Sequence, residues 1–121
     1  MPEYRSMKQF LATRGKQNET VVRNADRVLK RMLSVDTITY QDGALSEQVK
    51  ELVGLAASLV LRCDDCIAWH VHRCHETGVT REQLVEVLGI GNVVGGTITV
   101  PHIRRALTLW ESIQQEEIDD S

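Results

Sequence analysis

Apolar residues recur at steps of three and four along almost the whole chain, the spacing that puts side chains on one face of a helix. Tyr4, Met7, Phe10 and Leu11 form a short stripe closed by Gly15, and Val21, Val22, Ala25, Val28, Leu29, Met32 and Leu33 form a longer one. Two amphipathic helices are predicted there. Residues 36 to 45 hold Thr37, Ile38, Thr39 and Tyr40 before Asp42 and Gly43; a strand would have nothing to pair with, so the stretch reads as a connecting loop. Ser46 is a candidate N-cap with Glu47 in the first turn, opening a helix whose later part, residues 52 to 61, carries no charge and is therefore buried on most sides. A following helix carries residues 66 to 76 and stops at Gly78. Thr80 with Gln83 forms a capping box for the next, which runs to the Gly95-Gly96 break. Ile103, Ala106, Leu107, Trp110 and Ile113 mark a last amphipathic helix with Pro101 near its start. The chain reads as an all-α bundle.

A length of 121 residues suits a single domain spanning 1–121. With 42% hydrophobic and 26% charged residues, 2 Pro and 8 Gly, the composition excludes a disordered, collagenous or disulfide-stapled chain. The uncharged run ending at Ile103 contains Asn92, Pro101 and His102 and falls short of the roughly 18 apolar residues that a membrane helix needs. No membrane partner is expected. The first ten residues carry Glu3, Arg5 and Lys8 and lack an apolar signal core, so a reducing, cytoplasmic location is expected. Residues 1 to 34 hold eight Lys or Arg against three Asp or Glu. Arg23, Arg27, Lys30 and Arg31 are spaced like the solvated back of a helix without interleaved aromatics, which argues against a nucleic-acid partner. Gly89, Gly91, Gly95 and Gly96 follow neither the dinucleotide nor the phosphate-loop pattern and read as points of close helix approach. Residues 84 to 100 are apolar almost all round, more than so short a chain buries alone, which predicts a homo-oligomer.

All three cysteines lie within residues 63 to 74: Cys63, Cys66 and Cys74, with His70 among them. A CxxC pair in a reducing compartment points to dithiol redox work or to metal binding. Eleven residues of helix separate Cys63 from Cys74 by ~16 Å, too far for four ligands on one zinc, although three ligands could meet a metal if Cys63 lay in the preceding loop. Ile67 stands where haem attachment needs histidine, and no βαβ pattern surrounds the pair. The redox reading explains more. His70 lies one turn beyond Cys66, near enough to take its proton, which makes Cys66 the likelier nucleophile; a helix beginning near Asp64 would favour both thiolates, while Asp64 and Asp65 oppose them. If the two central helices form an antiparallel hairpin turning near Leu61, residues whose numbers sum to about 121 face each other, and Glu51 meets His70. His72 and His75 project elsewhere. Cys74 reads as a packed thiol or a secondary redox site, and Trp69 and Trp110 as core or subunit-contact residues.

The segments Gly43-Ala-Leu-Ser-Glu-Gln-Val-Lys-Glu51, Cys63-x-x-Cys66-x-x-x-His70 and Gly78-Val-Thr-Arg-Glu82, with Glu86 and Gly95-Gly96 beyond, resemble the carboxymuconolactone decarboxylase superfamily in its AhpD-like alkylhydroperoxidase branch. The resemblance covers roughly residues 43 to 110. It implies an AhpD-like helical bundle with a central antiparallel helix pair carrying the CxxC site, assembled as a trimer or hexamer; residues 1 to 42 fall outside the match and are expected to serve assembly. It further implies that Cys66 attacks peroxide, that Cys63 closes the disulfide, and that His70 and Glu51 relay protons. The protein that gives the branch its name carries a histidine immediately before the second cysteine; Asp65 stands there in this chain, removing one relay group and adding a charge. Members that process the lactone generally lack the cysteine pair. The expectation is therefore a cytoplasmic thiol-dependent peroxidase or related disulfide oxidoreductase, without a cofactor, taking a peroxide substrate and electrons from a lipoyl or thioredoxin-like dithiol. The alternative is a non-enzymatic oligomeric helical protein or a metal-binding redox sensor.

Overall fold

Six α-helices and one short 3-10 turn (Thr97–Thr99) follow one another in the computed structural model, which describes residues 6–120: α1 (Met7–Asn24), α2 (Arg27–Thr39), α3 (Glu47–Leu61), α4 (Asp64–Glu76), α5 (Arg81–Gly95) and α6 (Val100–Asp120). The fold is all-α, with no strand among the described residues. Tyr4 lies outside them. The helix starts carry the caps that the sequence supplies: Ser46 accepts from the amide of Val49, and Thr80 and Gln83 close a reciprocal box. Gly78 and Gly96 take φ of +86° and +87°, where a side chain would be strained.

Two boundaries differ from the sequence reading. The first helix runs through Gly15 and ends only at Asn24. Nothing lies within 4 Å of the position a Cβ would take at residue 15, and an exposed mid-helix glycine costs only about 1 kcal/mol. The break comes at Ala25 and Asp26, where the Asp26 carboxylate accepts from the amide of Leu29 at 2.9 Å and starts α2. In turn, α2 continues to Thr39, four residues into the stretch read as loop. The hydroxyls of Ser34, Thr37 and Thr39 donate to the carbonyls of Lys30, Leu33 and Val35, so these side chains find their partners within the helix.

Helix α3 packs between α4 and α5; α4 also lies against α6, and α1 crosses α6 and α4. The charge-free part of α3 supplies Leu55 and Leu59 to the core, where they join Ile67 and Val71 of α4, Leu84 and Leu88 of α5 and Leu109, Trp110 and Ile113 of α6. At Gly91 of α5 a Cβ would lie 2.6 Å from Cδ2 of Leu59, so α3 and α5 meet there because the side chain is absent. The start of α1 is pinned to the end of α6: Met7 and Phe10 are buried, and the Met7 amide donates to Ser112 Oγ at 2.9 Å. No residue of α2 is buried.

Candidate functional site

A tight turn joins the two central helices. Arg62 adopts the left-handed conformation (φ 58°), its amide donates to the Leu59 carbonyl and that of Cys63 to the Ser58 carbonyl, closing α3 with a Schellman motif. The chain passes straight into Cys63, the N-cap of α4. Its sulfur accepts from the amide of Cys66 at 3.3 Å. Asp64 and Asp65 occupy the first turn of this helix, and Cys63 is its cap.

Cys63 and Cys66 form a disulfide with their Cα atoms 5.3 Å apart, inside the range that such a bond allows. Cys66 is exposed and Cys63 half-buried. The hairpin also brings Glu51 to His70: Oε1 lies 2.8 Å from Nδ1, with the carboxylate 1% and the histidine 7% exposed. A carboxylate on Nδ1 takes the Nδ1–H and leaves Nε2 as the proton acceptor. Arg73, one turn further along α4, sets its Nε 3.5 Å from the other oxygen of Glu51 and also pairs with Glu47 and Glu76. The charge on a nearly inaccessible carboxylate is thus shared between an imidazole and a guanidinium. A cleft of about 240 Å³ lined by Asp36, Thr37, Tyr40, Glu47, Glu51, Trp69 and Arg73 reaches the same carboxylate, large enough to admit several waters.

Of the two acids between the cysteines, Asp64 is bound by bases of α6, and Asp65 lies within electrostatic reach of Arg14. Asp64 binds His102 Nδ1 at 2.7 Å and the Arg105 guanidinium at 3.1 Å, both on α6. Arg14 of α1 lies 3.6 Å above the Trp69 ring, where burial lowers its pKa and the nearby Asp36 and Asp65 act against that shift. The repulsion that these acids would exert on a thiolate is thereby reduced.

His72 pairs with Glu76 along its own helix, and burial depresses its pKa. His75 binds Glu117 at 2.9 Å and packs against Trp110. Neither meets the cysteine pair. Cys74 is fully buried, and burial, with a smaller contribution from Glu51, pushes its thiol up to about 12. Such a thiol is inert at neutral pH. Iodoacetamide at pH 8 on the native reduced protein should therefore modify Cys66 and, more slowly, Cys63, and reach Cys74 only after unfolding. A Cys74 adduct formed at the rate of Cys66 would contradict this.

Reading the sequence missed Arg73, His102, Arg105 and Tyr40. His102 and Arg105 reach Asp64 over 38 and 41 residues, and no local pattern announces such contacts. Tyr40 had one signal: Gly54, a glycine in the middle of a charge-free helix, marks a place where another group comes close.

Residues 26–109 match the model of the carboxymuconolactone decarboxylase family, a stretch that holds Glu51, both paired cysteines, His70, Arg73 and His102. An uncharacterised protein of Cupriavidus necator is 37% identical over 73 residues, 60% of this chain and 65% of its own length, slightly under two thirds. A protein from the cox locus of Paracoccus denitrificans is 28% identical over 67% of this chain and 73% of its own. Two crystal structures of one Thermotoga maritima protein superpose with TM-scores of 0.89 and 0.86 at 42% and 41% identity, covering 93% of this chain and 98% and 95% of theirs. The second names that protein as a family member and a candidate for antioxidative response. An apo family protein of Legionella pneumophila aligns at TM-score 0.79 and 25% identity over 87% of this chain and 94% of its own. Matched over most of its length by the family model and over nearly all of it by a solved relative, this chain belongs to the carboxymuconolactone decarboxylase family.

Proposed function

We propose that the chain is a thiol-dependent peroxidase, or a closely related disulfide oxidoreductase, working through Cys66 and Cys63. The observation that carries this reading is an exposed cysteine bonded to its partner one turn from a buried carboxylate–imidazole pair. In the reduced state His70 Nε2 takes the Cys66 proton, the thiolate attacks the peroxide O–O bond, and the alkoxide leaves with a proton from the imidazolium. Cys66 is then a sulfenic acid. The Cys63 thiolate, formed at a helix N-terminus, displaces hydroxide from it, and water and the disulfide result. An external dithiol of the lipoyl or thioredoxin-like class returns two electrons and two protons by thiol–disulfide exchange, entering at the exposed sulfur. The antioxidative role suggested for the Thermotoga maritima protein agrees with this cycle. A reducing cytoplasm is the compartment in which it would run.

The working form we expect is a homo-oligomer, with α2 of one copy covering α3 and α5 of another. Val28, Met32, Val35 and Ile38 of α2 are 54% to 67% exposed. Between α3 and α5 an open apolar groove of about 420 Å³ is lined by Val49, Val53, Ala57, Ile90 and Val94, among others. Arg27, Lys30 and Arg31 lie on α2 with the stripe, and Glu82 and Glu86 on α5 with part of the groove's lining, so the two helices carry opposite charges.

The test supplies purified protein with dihydrolipoamide and an alkyl hydroperoxide, and follows both hydroperoxide loss and the modification of Cys66 by a sulfenic-acid probe. Catalytic consumption with label on Cys66 is expected, and sedimentation of the same sample should give a mass above one chain. No turnover with any dithiol would remove the enzymatic reading, and a monomer the assembly.

A further inference from the structure

The relay turns on Nε2 of His70, because Nδ1 is committed to Glu51. A second group reaches that nitrogen. The Tyr40 hydroxyl stands 3.4 Å from Nε2, and the two rings lie 5.2 Å apart at 47°. Two features of α3 hold it there. The Lys50 ammonium donates to the carbonyls of Thr39 at 2.9 Å and Gln41 at 2.7 Å, the residues on either side of Tyr40. Residue 54 is glycine, and a Cβ there would lie 2.6 Å from Cε1 of His70, 2.9 Å from Nε2 and 2.9 Å from the Tyr40 hydroxyl. The space in which hydroxyl and imidazole meet exists because no side chain fills it. Burial, with Glu51 and Asp36 adding to it, pushes the Tyr40 phenol above its ordinary value, so it keeps its proton at neutral pH.

We propose that Tyr40 is a positioning residue of the relay: its hydroxyl, fixed by Lys50 and admitted by Gly54, binds Nε2 of His70 in both protonation states of the imidazole. While the cysteines form a disulfide, Nε2 carries no proton and accepts from the Tyr40 O–H. Once the pair is reduced, the Cys66 proton moves to Nε2, and the Tyr40 oxygen accepts from the imidazolium N–H alongside the thiolate. A hydroxyl can donate and accept in turn, which a phenyl ring cannot. The bond accepted from the imidazolium is charge-assisted and the stronger of the two, so the net effect is to favour the thiolate–imidazolium pair in the reduced protein. The charges bearing on this pair are Asp36 on α2, Glu47, Lys50 and Glu51 on α3, Asp64, Asp65 and Arg73 on α4, Arg14 on α1, and His102 and Arg105 on α6. Removing the Tyr40 hydroxyl alters none of them.

This inference rests on the thiol-relay reading of the site, but its test needs no turnover. The full-length reduced protein is alkylated with iodoacetamide across a pH series, the adduct on Cys66 is quantified by fragment masses, and wild type is compared with Tyr40→Phe. The expected result is a Cys66 titration displaced upward by about one pH unit, which slows alkylation near neutrality about tenfold, with the melting temperature little changed. Lys50→Gln, which keeps the hydroxyl and leaves the core untouched while releasing the loop, should move the profile a smaller distance the same way and decides the matter should Tyr40→Phe fold poorly. Profiles that superimpose on wild type in both variants would show that Tyr40 merely packs. If the profile moves while the wild type consumes no peroxide, the peroxidase reading fails and the role of Tyr40 stands. If turnover is present and the profile stays still, Tyr40 alone loses its role.

Discussion

Cys66→Ser should abolish peroxide consumption, by about a thousandfold or more, while Cys63→Ser should leave a single fast turnover that stops at a sulfenic acid on Cys66. The difference follows from what surrounds each sulfur. Cys66 is exposed and has His70 at the next turn of the same helix; the residue at that offset from Cys63 is Ile67, which is buried and carries no proton acceptor. Activating a thiol by an adjacent base contributes roughly 10² to 10⁴ in rate, so a lone Cys63, half-covered and acting as N-cap, does not replace its partner. Without Cys63, by contrast, the first half of the cycle remains and the step that forms disulfide is lost. Rapid mixing with a sub-stoichiometric hydroperoxide, followed by mass analysis of the intact chain, reads both outcomes. In Cys63→Ser one oxygen should be added at Cys66; in Cys66→Ser none should be. Steady turnover by Cys66→Ser together with an inert Cys63→Ser would reverse the two roles.

Much of this arrangement is written locally. Ser46, Thr80 with Gln83, and Gly78 act through neighbours three to five residues away, and the chain starts and stops helices there as the sequence suggests. The meeting of Glu51 and His70 was legible for a related reason. An antiparallel hairpin with a tight turn fixes its own register, and the charge-free run after Glu51 leaves few acids that could answer a buried histidine. Where the reading misplaced a boundary, at Gly15 and beyond Asp36, it took weak helix formers for stops; an exposed glycine costs only about 1 kcal/mol, and the break falls where Asp26 caps the next helix. What was not legible joins elements far apart in the chain. Nothing near Asp64 shows that His102 and Arg105 will reach it from α6, and nothing near Asp65 points to Arg14 in α1. These groups bear directly on the site, because they offset negative charge beside the cysteine pair that a reading of residues 63 to 70 alone leaves unbalanced.

Glu51→Ala should be the most damaging change to the fold outside the apolar core. The carboxylate is 1% exposed, and its two oxygens face His70 at 2.8 Å and Arg73 at 3.5 Å. Removing one partner of a buried ion pair costs about 3 to 5 kcal/mol, because the remaining charge is left without compensation. Arg73 keeps Glu47 and Glu76 and is a quarter exposed, so the loss falls chiefly on His70 and on the void left among α3 and α4; roughly 3 kcal/mol is expected. Urea unfolding with unchanged dependence on denaturant concentration measures it. Glu51→Gln separates that structural cost from the chemistry. It keeps the shape and one acceptor oxygen, so its stability should stay within about 1 to 2 kcal/mol of wild type. Yet a neutral amide no longer stabilises an imidazolium, and it can present either its oxygen or its N–H to Nδ1; in the second orientation Nε2 carries the proton and cannot accept one from Cys66. Turnover should therefore fall by about 10²-fold or more in a protein that remains folded. If Glu51→Gln instead retains turnover within about threefold of wild type, the carboxylate only secures the hairpin, and the proton leaves Cys66 without its help.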